Sequence, residues 1–307
     1  VARWRHARNV TGTDGPLSGE TYRASFVDAI ETGVERDLLD ERMIDYDLES
    51  LSHALVPERD EGFGYMAVST LVQRYFLRTV EGDEPLELPQ SFWMRVAMGV
   101  ALAEDPEDRE ARAVEFYDAL STLRFVHSTP TLFHAGTTHP QLSSCYLTTV
   151  QDDLEDIFDS YKAHAKLSKW SGGLGNDWTN VRADGALIES TGVEATGVVP
   201  FLNISDDVTG AINRSGKRRG AACAYLAAWH MDFPAFLDLK RNTGDERRRT
   251  HDMNTAAWVP DLFMKRVRAG EQWTLFSPDE TPELHEATGQ EFEELYEEYE
   301  RAADDGE

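Results

Sequence analysis

The sequence predicts two regions in order along the chain: an all-α domain over 21–127, then an α/β region with a mostly parallel sheet over 128–307. Three observations predict it. Apolar residues in the first region keep a three-and-four spacing, with no convincing strand among them. The character changes at Ser128-Thr129-Pro130. Beyond that point short β-prone runs alternate with helical ones, the pattern of parallel strands joined by helices.

Residues 1–20 are polar, carry Gly and Thr, and read as a linker or the remnant of a preceding domain. Phe63, Met66, Ala67, Leu71 and Tyr75 then fall on one helical face, and Trp93, Val96 and Val100 repeat the spacing. Asp105-Pro106 reads as a helix start, the acid as N-cap and the proline in the first turn. The helix it opens is expected to run through Ala113, Phe116, Tyr117, Leu120 and Leu123. Gln141–Val150 has the content of a short strand. Asp152–Trp170 reads as an amphipathic helix with Leu154, Ile157, Phe158, Tyr161 and Ala165 on one stripe, closed by Gly172 and Gly173 as C-cap glycines. Strands are expected at Ala221–Ala227, Asn254–Trp258 and Trp273–Phe276. Helices are expected near Phe201–Ile212, Phe233–Lys240, Asp261–Arg268 and Glu291–Ala302. The Glu-rich last helix reads as a solvated face.

Charge bounds the partners. The 307 residues carry 56 acidic and 30 basic side chains, a formal net charge of −26, which argues against a nucleic-acid-binding surface. Lys occurs only at 162, 166, 169, 217, 240 and 265. Acid excess with so little Lys suggests a high-salt cytoplasm, where counterions screen the self-repulsion. No apolar run approaches a membrane span, and the start, Val1-Ala2-Arg3-Trp4-Arg5-His6, has no apolar core of a secretory signal. Two cysteines suit a reducing compartment, so the cytoplasm is the expected location. There is no initiator Met, and the chain stops on the charged Asp304-Asp305-Gly306-Glu307; both ends are expected to be cut.

Read by themselves, three features stand out. Cys145, in Leu142-Ser143-Ser144-Cys145-Tyr146, is a thiol on a strand, readable as a small buried hydrophobe or as a reactive group. The glycines of Ser171-Gly172-Gly173-Leu174-Gly175-Asn176 follow a helix, whereas a dinucleotide-binding loop follows a strand and opens a helix, so close backbone approach is their better use. Asn213–Gly220 holds four cations within the six residues Arg214–Arg219. They could meet a phosphate-bearing ligand or balance neighbouring carboxylates. No metal constellation is present: His127, His134 and His139 lack partners at ligand spacing, and His230 and His251 read as ordinary histidines.

From Ser128 to Val267 the chain resembles the large subunit of class I ribonucleotide reductases. The resemblance rests on Ser128-Thr129-Pro130-Thr131, Leu142–Leu147, Gly172–Trp178, Gly216–Ala221, Asn242–Asp245, His251–Thr255 and Pro260–Val267, in order and without evident gaps. It implies the family's all-α N-terminal domain followed by the first part of its ten-stranded α/β barrel, truncated here. It also implies a radical enzyme reducing ribonucleoside diphosphates to 2′-deoxyribonucleoside diphosphates. Cys145 matches the first member of the thiol pair that supplies the electrons and becomes a disulfide. Its partner and the radical-bearing cysteine would lie beyond Glu307, so this stretch alone is expected to be inactive.

The resemblance further implies that Thr129, Ser144 and Gly173 line the substrate site. Asp152 would meet the ribose and Arg182 the phosphates of a nucleoside triphosphate effector, with Arg218 on the loop relaying effector identity. Arg214-Ser215 stands where the family commonly has Gln-Gly. No cofactor would be bound by this stretch itself. The radical would come from a metal-containing small subunit, or from adenosylcobalamin in the alternative enzyme type, and a dithiol protein such as thioredoxin or glutaredoxin would restore the thiols. The helix at Asp152–Trp170 would pair with its copy in a homodimer, although its stripe also suits core packing. A non-catalytic nucleotide-binding regulatory module is the alternative from another class.

Overall fold

The computed structural model describes residues 10–12, 17–79, 84–170, 172–214, 218–219 and 221–305, with backbone alone at 213, 214, 218 and 219. Contacts divide the chain into two units, Val1–Ser144 and Cys145–Glu307. The division falls at Ser144/Cys145 rather than at 127/128, because Leu132, Ala135 and Leu142 pack into the helical core.

Unit one is helical. α1 (Gly19–Glu35) starts where the Ser18 hydroxyl accepts from the Thr21 N–H, and Tyr22, Phe26, Ile30 and Gly33 make its buried stripe. α2 (Leu48–Ala54) is capped by Asp47. α3 (Tyr65–Thr70) runs into a π-helical turn at Leu71–Tyr75. Of the single face expected there, Phe63, Leu71 and Tyr75 pack against the helical core; Met66 is 73% exposed and Val68 takes its place, because the helix begins only at Tyr65 and Phe63 precedes it. α4 (Pro89–Ala101) is buried on nearly every side, Phe92, Val96, Ala97 and Met98 reaching 0% exposure. Each large apolar side chain so buried stabilises by about 1.5–3 kcal/mol. Gly99 is needed there, since a Cβ would sit 2.1 Å from the Gly136 nitrogen.

α5 (Arg109–Ser121) packs along α4. It starts after Asp108 rather than at Asp105-Pro106, because those residues form a turn closed by Asp108 N–H on Asp105 C=O at 3.0 Å. Asp first and Pro second suit such a turn. The short α6 (Thr129–His134) opens with Pro130 in its first turn and is too short to show a helical period in the sequence. It is tied back by Thr131 Oγ1 donating to Leu142 C=O (2.9 Å) and by His134 Nδ1 at 3.0 Å from Gln141 C=O.

Unit two is built on a parallel sheet. β1 (Cys145–Thr149) leads through α7 (Leu154–Lys169) to β2 (Gly173–Asp177). A hairpin, β3 (Asp184–Ile188) with β4 (Val193–Thr196), precedes α8 (Val198–Ala211). A two-residue ribbon, β5 (Asn213–Arg214) with β6 (Arg218–Arg219), follows. β7 (Ala222–Ala227), α9 (Phe233–Leu237), β8 (Asn254–Trp258), α10 (Asp261–Ala269) and α11 (Gly289–Asp305) complete it. The sheet order is β1-β2-β7-β8, all parallel. No helix among the described residues is long and apolar enough to cross a membrane.

The two faces of the sheet differ. Leu174, Asn176, Ala222, Ala224 and Leu226 form the buried face, the apolar four in one cluster with Ile157 and Tyr161 of α7 and Leu202 of α8, and Asn176 hydrogen-bonded to His164. The opposite face presents the exposed Cys145, Leu147, Thr149, Asn254 and Trp258. Gly173 is not a cap but the first residue of β2, and Gly172 alone closes α7, its N–H on Leu167 C=O at 3.0 Å. Of the expected α7 stripe, Ile157 and Tyr161 are buried beside His164 and Ser168, while Leu154 (62%) and Phe158 (54%) face outward. Trp273–Phe276 is no strand: only a single bridge from Phe276 to His230 forms. Trp273 instead stacks on Tyr296 of α11 at 4.2 Å and donates its indole N–H to Ala228 C=O. α11 therefore buries one apolar edge, and its Glu300 clamps Arg266 of α10.

Candidate functional site

Cys145 opens β1 and stands in register with Gly173, which opens β2. The paired residues of parallel strands point to the same face, so the thiol lies beside a position without a side chain. Ser144 is the half-buried residue just before it. Both cysteines are thiols. Cys223 sits on β7, opposite Gly175, so one strand and a two-residue offset separate it from Cys145. That spacing amounts to about 12 Å between Cα atoms, beyond the roughly 7 Å limit of a disulfide. Burial pushes the Cys223 thiol's pKa up, so it stays protonated and poorly nucleophilic.

Thr129, the first residue of α6, belongs to unit one, where its hydroxyl lies 3.2 Å from that of Tyr75. Arg218 has its backbone in β6, opposite Arg214. Its side chain, and most of the Asn213–Gly220 loop, lie outside the described residues.

Asp152 and Arg182 meet past the carboxyl ends of β1 and β2. Arg182 Nε and Nη2 both lie 2.7 Å from Asp152 Oδ2, its backbone N–H donates to Oδ1 at 3.1 Å, and Nη1 donates to Leu187 C=O at 3.0 Å. The pair edges a cavity of about 550 Å³ whose walls come from the start of α7 and from the β3–β4 hairpin. The carboxyl ends of parallel strands are where α/β sheets hold ligands. The sequence signal for the hairpin is only Thr191-Gly192 between two short apolar runs, and Gly192 takes φ +67° there. Cys145 and Asp152 thus lie at opposite ends of β1, on the order of 20 Å apart.

A second cavity, of about 370 Å³, opens at the carboxyl ends of β2, β7 and β8. On its wall His285 Nε2 lies 2.7 Å from Asp177 Oδ2, an arrangement the sequence did not suggest. The hydrogen bond to Asp177 raises the His285 pKa against the opposing loss of solvent. Asp177 loses solvent too, which would raise its own pKa, but the hydrogen bonds from His285 and Thr179 outweigh this and lower it. The raised histidine contributes stability that is full below its unfolded pKa and disappears as pH rises through the folded one; the lowered aspartate contributes above its unfolded pKa and loses this in acid. The pair therefore stabilises most between the ordinary carboxylate and imidazole values. His285→Gln should cost about 1 kcal/mol at pH 6 and almost nothing at pH 9. Denaturant titrations at the two pH values check this, and an equal loss at both would remove the ion pair from the account.

Comparison with known proteins places these elements. Residues 61–140 match the family described as "Ribonucleotide reductase, all-alpha domain", and residues 143–306 match "Ribonucleotide reductase, barrel domain". The chain is 52% identical over 292 residues to the ribonucleoside-diphosphate reductase subunit alpha of Chlamydia pneumoniae, covering 95% of this chain and 28% of that protein. It is 46% identical over 256 residues to the subunit alpha of Helicobacter pylori, covering 83% of this chain and 32% of that one. It is 42% identical over 255 residues to the large subunit of Variola virus, covering 82% and 32%. The chain spans about a third or less of the length of these curated relatives. With a helical unit, a parallel sheet led by Cys145, and both domain descriptions matched in order, the chain belongs to the ribonucleotide reductase large-subunit family.

Proposed function

We propose that this chain supplies the all-α domain and the first barrel strands of a ribonucleoside-diphosphate reductase large subunit. In that subunit Cys145 is one of two thiols that reduce the ribose. The carrying observation is Cys145 at the head of β1, exposed beside Gly173 on the open face of a sheet whose other face is packed against helices. There the two thiols give up two electrons and two protons and become a disulfide; the 2′-hydroxyl leaves as water and a hydrogen takes its place. Ser144 and Gly173, next to the thiol, and Thr129 contact the ribonucleoside diphosphate. A separate metal-containing small subunit supplies the radical, and a dithiol protein of the thioredoxin or glutaredoxin kind regenerates the thiols.

The cavity at Asp152 and Arg182 is the proposed effector site. A carboxylate accepts the hydroxyl proton of the effector's sugar, and a guanidinium forks onto phosphate. Leu154 of α7 and Val193 of the hairpin line it and are each more than half exposed, and Phe158 and Leu187 are exposed on the same two elements. Exposed apolar side chains on both walls support closure of the site by a second copy of the subunit. Arg182→Ala should weaken deoxynucleoside triphosphate binding at least about tenfold, the loss expected for a charged hydrogen bond. Calorimetry on the full-length subunit measures it, and an unchanged affinity would take the effector away from this cavity.

A further inference from the structure

Tyr75 ends the π-helical turn Leu71–Tyr75. Such turns recur at functional positions, because an added residue carries one side chain off the α-helical path. Its ring has Phe92 at 6.4 Å on one side and Phe133 at 4.8 Å on the other, and its hydroxyl lies 3.2 Å from Thr129 Oγ1. Thr129 and Phe133 are four apart on α6 and share a face. Tyr75 therefore grips that face at two points, and both Tyr75 and Thr129 remain partly open to solvent.

We infer that Tyr75 is a positioning residue, its phenol donating to Thr129 Oγ1 so that the threonine O–H is left to donate to a phosphate oxygen of the substrate. This rests on the reading of Thr129 as a substrate contact. A phenol is the more acidic of the two hydroxyls, so it is the donor of the pair. A threonine oxygen that accepts one hydrogen bond becomes the better donor of the next. Without the phenol the Thr129 rotor is free to turn its proton elsewhere, and the diphosphate loses part of a directed contact. The helix itself keeps its other ties, Thr131 to Leu142, His134 to Gln141 and Arg95 to Ala135 C=O, so removing the hydroxyl alone leaves α6 in place.

The test is a double-mutant cycle in the full-length large subunit assayed with its small subunit, CDP being the varied substrate. Tyr75→Phe should raise KM for CDP by about three- to tenfold, the loss of one hydrogen bond. Its kcat should stay within about twofold and its melting temperature should not move. Thr129→Ala should raise KM as well, and adding Tyr75→Phe to it should change nothing further. Thr129→Ser, which keeps a hydroxyl, should restore both a low KM and the sensitivity to Tyr75→Phe. If Thr129→Ala raises KM while Tyr75→Phe does not, or if the two effects simply add, the role of Tyr75 is overturned and that of Thr129 stands. If Thr129→Ala leaves KM untouched, the substrate contact itself is refuted.

Discussion

In the full-length subunit, Cys145→Ser takes multiple turnover with a dithiol reductant to background while deoxynucleoside triphosphate binding stays unchanged. A serine hydroxyl cannot form the disulfide that carries the two electrons, and it is a far weaker acid than a thiol toward a departing hydroxyl. The change is nearly isosteric at an exposed strand position, so stability should move by no more than about 0.5 kcal/mol. Cys223 cannot take over, because β2 lies between the two strands and the sulfurs cannot meet. Cys223→Ser should accordingly leave turnover within about twofold. Coupled turnover assays and calorimetry on the same preparations separate the outcomes. Full turnover in Cys145→Ser would remove Cys145 from the chemistry, and loss of effector binding would make it a structural residue instead.

The difference between Cys145 and Cys223 also shows how far the sequence could be read. Both thiols lie on strands that were anticipated, because Gln141–Val150 and Ala221–Ala227 carry the β-branched, aromatic and small residues that fit a half-buried pleat. The strand between them was not anticipated. Gly173-Leu174-Gly175-Asn176-Asp177 has little strand preference, and it forms β2 only because neighbours on both sides supply its ladder. Trp273–Phe276 fails the other way: its residues favour a strand, but packing against α11 uses their side chains instead. The candidate site divides similarly. The pairing of Asp152 with Arg182 is legible only through the resemblance, since 30 residues and a helix separate them and only the turn after β2 brings them to 2.7 Å. Tyr75 packs against the core as its spacing indicates, but the sequence does not show that its hydroxyl meets Thr129, 54 residues on. Arg95 stayed hidden because one cation inside an apolar helix reads as an interruption of its stripe.

Arg95→Met is expected to be the most destabilising single change in unit one, by about 3–5 kcal/mol, the usual cost of removing one partner from a buried ion pair. Arg95 is 0% exposed and Glu87 2%. The guanidinium donates from Nε to Glu87 Oε1 at 2.7 Å, from Nη2 to Oε2 at 3.3 Å, and from Nη1 to the carbonyls of Ala135 (2.8 Å) and Leu132 (3.3 Å). One planar group thus neutralises a buried carboxylate and satisfies the last turn of α6, whose carbonyls have no partner within so short a helix. Methionine fills the volume but leaves the Glu87 charge and the Ala135 carbonyl without their donor. Lysine keeps the charge but not the fork, so Arg95→Lys should recover only part of the loss. The double change Glu87→Leu with Arg95→Met should recover part of it by removing the stranded charge, while the Ala135 carbonyl and the Leu77 N–H, which donates to Glu87 Oε2 at 2.8 Å, stay without these partners. Denaturant unfolding of the 307-residue chain decides the matter: a loss below about 1 kcal/mol in Arg95→Met, or a double variant as unstable as the single, would show that the pair does not pin the fold. The same pin holds the far end of the helix that presents Thr129. Arg95→Lys in the full-length subunit should therefore raise KM for the ribonucleoside diphosphate along with its loss of stability, whereas Tyr75→Phe should move KM alone.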